Sequence, residues 1–468
     1  MPFDRPTFWV FFAFAWLAWR KLPFGAAKTT TLFASLLFYG WFSFWYLPLI
    51  LASACVDFAA AIKIAGASTP RARRGWLVLS LCANLGLLSF FKYAPFLVDN
   101  ARWVALHVGI EPPEPLSDWI LPVGISFFTF QSMTYTIDTY RGLITPVRSS
   151  RDFLLYISFF PQLVAGPIVR ARTFLPQLRA RTALPPIALQ AGVFEIVLGL
   201  FLKVVVADNL APAVEQCFDR MALERMSPAQ AWLGTFYFGG QIFADFAGYS
   251  AIAIGLARVM GLTFPENFKA PYISTSLSEF WRRWHVSLST WLRDYLYIPL
   301  GGSRHGPVRT YFALFMTMLL GGLWHGASWN FVLWGAAHGG GLAVERALTR
   351  GRRDSTGIVA ILRWTFVLLF VHLTWVLFRA QDFGRALGLY ERMLVVPLRE
   401  GFGAGELNNE RYLVFLLPIA LVHLARLLEE KRLFPSPAVL RAVLAGLMLA
   451  LLFVVGRPSA SAFLYFQF

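Results

Sequence analysis

"GGLWHGASWNFVLWGAAHG", residues 321–339, is an apolar stretch that nevertheless holds five glycines, Asn330 and two histidines, His325 and His338. Glycine inside a helix costs about 1 kcal/mol relative to alanine, because more backbone freedom is lost on ordering. An ionisable side chain in an apolar span is costly too, and such residues usually face a bundle interior or a cavity. A segment that accepts both costs is expected to pack tightly and to carry chemistry. It lies in an apolar block, 311–345, that is too long for one span of about 20 residues and reads as a hairpin.

The surrounding chain supports a membrane setting. Of 468 residues 57% are hydrophobic and only 15% charged, well below the roughly 25% of soluble domains. Aromatic residues reach 16%, including 45 Phe and 17 Trp, types favoured in the lipid core and at its interfaces. The net charge of +16 does not point to nucleic acid. Its basic residues cluster in short loops such as "TPRARRGW" (69–76), "YRGLITPVRSSR" (140–151) and "RARTFLPQLRAR" (170–181), the pattern of cytoplasmic loops facing anionic lipid. Cys55, Cys82 and Cys217 are too far apart for a metal motif or a disulfide framework.

Apolar segments recur at 7–19, 31–62, 76–98, 119–137, 153–169, 186–207, 229–257, 311–345, 360–378, 411–428 and 438–456. They predict a single polytopic domain over 1–468, all-α, with about 10–12 membrane-embedded helices. Segment 31–62, like 311–345, reads as a helical pair. The first apolar stretch reads as a span rather than a cleavable signal, since no small-residue cleavage site follows it. Segment 153–169, interrupted by Pro161, Gly166 and Pro167, reads as re-entrant. The acidic loops place the N-terminus outside. Residues 265–310 are too polar to span, and their mixture of Trp and Arg predicts helices at the cytoplasmic interface.

The chemistry on offer is narrow. No Gly-x-Ser-x-Gly elbow, Walker loop or His-Glu-x-x-His motif is present. A buried imidazole with no serine or cysteine partner suggests a general base, and His325 is the first candidate. His338 follows thirteen residues later, about 220° round an ideal helix and so off that face. His285 in "FWRRWHVSLS" is the second candidate. Trp324, Trp329 and Asn330 offer N–H donors for a developing oxyanion. The structural alternative for each is plain packing or interhelical hydrogen bonding.

"SEFWRRWHVSLSTWLRDYLYIPLGG" followed by "LLGGLWHGASWNFVLWGAAHG" resembles the membrane-bound O-acyltransferases, in particular the bacterial branch of alginate O-acetylation and teichoic-acid D-alanylation proteins. "LPVGISFFTFQSMTYTIDTYRG" (121–142), "FFPQLVAGPIVR" (159–170), "FADFAGYSAIAIGLARVMGLTFPENFKAPYIS" (243–274) and "FLYFQF" (463–468) fit the same pattern, so the resemblance covers most of 119–345 and the C-terminus. It implies a ring of helices, some re-entrant or interfacial, around a central funnel and tunnel. It makes His325 the catalytic histidine and His285 the upstream position. It also implies an acyl thioester donor, acetyl-CoA or an acyl carrier, with no tightly bound cofactor and no metal. A periplasmic acetyltransferase partner would pass the acetyl group to an extracellular polysaccharide such as alginate, and the chain would sit in the bacterial inner membrane. Arg282 and Arg283, with Lys269 and Arg304, would meet the donor's phosphates, lipid anchoring would use the same residues, and Trp281, Trp324 and Asn330 would also bind substrate. Gln162 and Ala251 depart from the alginate-type pattern of His and Asp. D-alanyl or other acyl transfer from a carrier protein, and a transporter or flippase without acyl chemistry, remain as other readings.

Overall fold

The computed structural model describes residues 1–116, 122–163, 166–181, 184–219, 223, 225–349, 356–403, 410–432, 438–456 and 464. No strand occurs among them. The chain forms two compact units, 1–196 with 252–265, and 197–251 with 266–468.

The first unit contains α1 (Pro6–Lys21), α2 (Phe24–Gly40), α3 (Leu47–Gly66), α4 (Pro70–Leu88), α5 (Ala94–Val108), α6 (Ile125–Tyr140), α7 (Ser150–Ser158), α8 (Phe160–Leu163) and α9 (Ala171–Phe174). Segment 31–62 is a pair as expected, broken between α2 and α3 by a short 3-10 turn at Phe44–Tyr46. The 153–169 segment is interrupted at Phe159, between α7 and α8, and its described residues from Phe153 to Val169 are buried except the half-buried Leu154; Val164 and Ala165 lie outside the described residues. Burial in protein is what permits irregular backbone in an apolar setting. Asp57 of α3 is fully buried and well partnered. Its carboxylate accepts from Ser80 Oγ at 2.5 Å, Asn84 Nδ2 at 2.9 and 3.0 Å, and Thr136 Oγ1 at 3.2 Å. These donors come from α4 and α6, so one carboxylate ties three helices together.

The chain continues through α10 (Pro186–Leu200), α11 (Asp208–Phe218), α12 (Pro228–Val259), α13 (Leu277–Arg283), α14 (Val286–Leu292), α15 (Gly306–His325), α16 (Trp329–Thr349), α17 (Gly357–Arg379), α18 (Phe383–Tyr390), α19 (Val396–Glu400), α20 (Leu417–Glu430) and α21 (Ala438–Val454). Among the described residues six helical stretches are long and apolar enough to cross a membrane: 44–66, 70–108, 186–218, 228–259, 357–379 and 410–430. Their burial differs in a way that assigns them places: 83% of the apolar window of α12 is buried, against 17% for that of 410–430. The first is a core helix and the second turns most of its apolar surface outward, as lipid contact allows. Within the second unit Lys203 pairs with Asp208 at 2.7 Å and Asp245 at 2.9 Å, all buried. Asp245 also accepts the Leu464 backbone N–H at 2.8 Å; the rest of the FLYFQF motif lies outside the described residues.

The 311–345 block is the expected hairpin. α15 ends at His325, the chain turns through 326–328, and α16 begins at Trp329. Its glycines set the distance between the two helices. A Cβ on Gly322 would collide with the Phe331 carbonyl oxygen, and one on Gly335 would lie 2.5 Å from the Met318 carbonyl oxygen. Because the obstacles are backbone, no rotamer change relieves them. The break also corrects the helical-wheel expectation: His325 and His338 belong to different helices, so their spacing in sequence does not set their relative orientation.

Residues 277–297 depart from a purely interfacial reading. Phe280 and Trp284 belong to the hydrophobic core of the second unit, and Leu288 and Trp291 are buried as well.

The hairpin can be tested by substitution. G335A should lower stability by about 1–3 kcal/mol, the usual cost of overpacking, and G340A, whose Cβ would have nothing within 4 Å, should leave it unchanged or slightly raised. Thermal melts of the detergent-solubilised protein check this; equal melting points for G335A and the parent would show that the helix spacing is not limiting.

Candidate functional site

His325 stands at the carbonyl end of α15 and is only 5% exposed. Three rings meet it edge to face: Trp324 at 5.0 Å, Trp334 at 5.2 Å and Phe378 at 5.3 Å between centroids. Gly326 makes this closure possible, since a Cβ there would strike the Phe331 ring. Phe331 in turn packs on Phe378 at 4.9 Å. The imidazole is therefore held in a box of aromatic walls contributed by α15, α16 and α17.

His285 also neighbours Trp324, with centroids 6.4 Å apart. It occupies the break between α13 and α14 in the left-handed region, φ 44° and ψ 54°. For a residue other than glycine this costs on the order of 1–3 kcal/mol and persists only where the surroundings enforce it. The surroundings here are Phe246, 4.6 Å away and perpendicular, and Asn267, whose Oδ1 is 3.1 Å from His285 Nδ1. Burial pushes the imidazole down to about 3, so it is neutral at physiological pH.

His338 has a different part. Trp281 Nε1 donates to its Nδ1 at 3.3 Å, which leaves Nε2–H to donate to Thr374 Oγ1 at 3.0 Å. Thr374 Oγ1 is free to accept because its own proton goes to the Val371 carbonyl at 2.8 Å. Both nitrogens are used, and His338 joins α13, α16 and α17 as an interhelical strut.

The other sequence candidates separate into two groups. Trp324 belongs to the His325 box. Asn330 is buried nearby on α16, with its Nδ2 donating to the Ala380 carbonyl at 2.9 Å. Trp329 is 58% exposed. Trp281, Arg282 and Arg283 line a cavity of about 650 Å³ together with Lys269, Arg293 and Arg426; Arg304 is not among its lining residues. Arg283 is the most engaged of these, reaching Glu279 at 2.9 Å and Glu430 at 2.8 and 2.9 Å. Arg282 is exposed and bonds Ser278 Oγ at 2.7 Å. Trp281 also meets Trp334 at 5.7 Å, and Trp334 meets His325. A relay of two packed indoles thus separates the basic cavity from the His325 box.

Two residues of the site lie within the motifs quoted above but were not singled out there. Trp334 is 1% exposed with an indole N–H that has no hydrogen-bond partner among the described residues; in sequence it is one Trp of seventeen. Asn267, in "PENFK", sits in a loop without periodicity and meets His285 only through the fold.

The family model for the membrane-bound O-acyltransferases matches residues 121–379, a range that contains both histidines, Asn267 and the hairpin. A probable alginate O-acetylase of Azotobacter vinelandii is 44% identical over 362 residues, 77% of this chain and 71% of the relative. A peptidoglycan O-acetyltransferase of Helicobacter pylori is 36% identical over 402 residues, 78% of this chain and 73% of the relative. A teichoic acid D-alanyltransferase of Bacillus subtilis is 31% identical over 247 residues, 49% of this chain and 60% of the relative.

The neutrality of His285 has a consequence for pH dependence. An unfolded histidine titrates near 6.5, so below that pH the unfolded chain binds a proton that the native site refuses until about 3. The stability that follows is complete above pH 6.5 and declines on acidification, by at most about 1.4 kcal/mol per pH unit. Melting points between pH 7.5 and 4.5 should fall less steeply for H285Q than for the parent; identical slopes would show that His285 is not the neutral group inferred.

Proposed function

Because the chain belongs to the membrane-bound O-acyltransferase family, we propose that it passes an acetyl group from a cytoplasmic thioester donor, acetyl-CoA, across the bacterial inner membrane for O-acetylation of an extracytoplasmic polysaccharide such as alginate. The observation that carries this reading is a single imidazole, His325, closed in by aromatic rings at the end of a helix in a chain similar to glycan O-acetylases. His325 acts as general base. It takes the proton of an acceptor hydroxyl as that oxygen attacks the thioester carbonyl; the C–O bond forms, the C–S bond breaks, and the proton passes from the imidazole to the departing sulfur. The negative end of the α15 dipole stabilises the imidazolium formed in between.

The indole N–H of Trp334, buried and without a partner beside His325, is suited to receive the carbonyl oxygen as it gains charge, since a desolvated donor that needs no reorganisation contributes most there. Arg282 and Lys269 at the basic cavity suit the phosphates of the donor. A separate acetyltransferase outside the membrane then receives the acetyl group for the glycan. Similarity to teichoic acid D-alanyltransferases favours a second donor, an acyl group on a carrier protein's thioester, at the same site.

A deletion strain complemented with the parent or with H325A, at matched membrane levels, tests the base. Surface-polysaccharide acetyl ester should return only with the parent, the variant losing on the order of 10²–10⁴-fold in transfer. Full restoration by H325A would remove His325 from the chemistry. In membranes prepared from the same strains, transfer from labelled acetyl-CoA without added carrier supports the first donor, and a requirement for charged carrier protein the second.

A further inference from the structure

Asn267 is fully buried in the loop between α12 and α13, and the 285–287 turn converges on it. Its backbone carbonyl accepts the Val286 N–H at 2.9 Å. Its side-chain Oδ1 accepts from the Ser287 N–H at 3.2 Å and from Ser287 Oγ at 2.9 Å, and lies 3.1 Å from His285 Nδ1. On the opposite side Nδ2 donates to Ser250 Oγ of α12 at 3.0 Å. These partners settle which way the amide points. A backbone N–H can only donate, so the atom facing Ser287 is the oxygen.

The same oxygen faces His285 Nδ1 and can only accept. Ser287 Oγ also lies 3.4 Å from Nδ1, but its one proton goes to Asn267 Oδ1 at 2.9 Å, so Nδ1 carries the ring proton and a neutral ring leaves Nε2 as an acceptor. The two nitrogens diverge across the ring, so Nε2 points away from Asn267. The backbone adds a second observation. The break between α13 and α14 places a non-glycine residue in the left-handed region, where glycine would relieve the strain. The position holds a histidine, and one neighbour supplies the acceptors that keep both the turn and the ring in place.

We propose that Asn267 is a positioning residue for acyl transfer: it fixes His285 as the Nδ1–H tautomer and so presents the Nε2 lone pair to the hydroxyl or thiol of a substrate brought to the His325 site. This rests on the acyl-transfer reading above, with His285 touching substrate and Asn267 acting through it. Ser250 completes the arrangement, holding the amide in the orientation that keeps oxygen toward the imidazole. An apolar residue at 267 would leave the ring free to take either tautomer. A carboxylate would keep an acceptor at the same place, with the Ser250 hydroxyl turning to donate.

The test combines a spectroscopic and a kinetic readout. Solid-state 15N spectra of histidine-labelled protein in lipid at pH 8, with His285 assigned by its loss in H285Q, should show a protonated Nδ1 and a bare Nε2 in the parent and in N267D. In N267L the Nε2–H form should appear. For transfer, N267L should lower kcat about tenfold or more with KM within about twofold, whereas N267D should stay within about threefold of the parent. In the H285Q background N267L should cause no further loss. A parent spectrum with the proton on Nε2 overturns the proposal, even if N267L does not fold. So does an equal loss from N267L with or without His285, which would make Asn267 a structural residue. The tautomer is read without substrate, so it is scored independently of H325A; undiminished transfer by H325A would sink the general-base reading alone.

Discussion

The site depends on the approach of two backbones. α15 and α16 come together where Gly322 meets the Phe331 carbonyl and Gly335 meets that of Met318, positions at which any side chain would intrude on main-chain atoms. In lipid, helices gain little from burying apolar surface against one another, so close van der Waals contact along small residues carries much of the association. The tight hairpin brings the end of α15 beside Trp334 of α16. Phe378 of α17 closes the third side, so that a polar ring is sequestered among aromatic ones. The glycines that look like a loss of helix propensity are what permit the box around His325.

A second constraint is the satisfaction of polar groups away from water. Unpaired charges and donors in such surroundings cost several kcal/mol each, and the chain meets this with compact networks. Asp57 gathers donors from α4 and α6, Lys203 sits between two carboxylates, and His338 uses both nitrogens to join three helices. Breaking one partner of such a network leaves the other buried and uncompensated, which is more damaging than the loss of an exposed pair. The buried N–H of Trp334, beside His325, is among the polar atoms with no hydrogen-bond partner among the described residues. His285 is a different case, a strained backbone position tolerated because Asn267 absorbs the donors of the turn around it.

Much of this was legible in the amino-acid sequence. The apolar blocks gave an all-helical membrane protein, the excess length of 311–345 gave a hairpin, and the motifs around His285 and His325 gave the family. His338 could not be placed by helical periodicity, because the helix breaks between the two histidines. Trp284 and Trp291 looked like interfacial anchors by composition, but both are buried, Trp284 within the core of the second unit. Arg283 read as a free cation for phosphate, whereas Glu430, 147 residues away in sequence, holds it with two hydrogen bonds.

The sequence by itself determined what depends on local composition and on spacing along one helix: membrane character, the helical class, the hairpin and the identity of the candidate base. The tertiary structure alone decided which groups become partners. Asn267 meets His285, Trp281 meets His338 and Trp334 meets His325 only after the helices pack, because hydrogen bonding and ring contact act over a few ångströms in space and leave no period in the chain. The tautomer of His285 and the strut made by His338 follow from those neighbours, although both residues are the same amino acid.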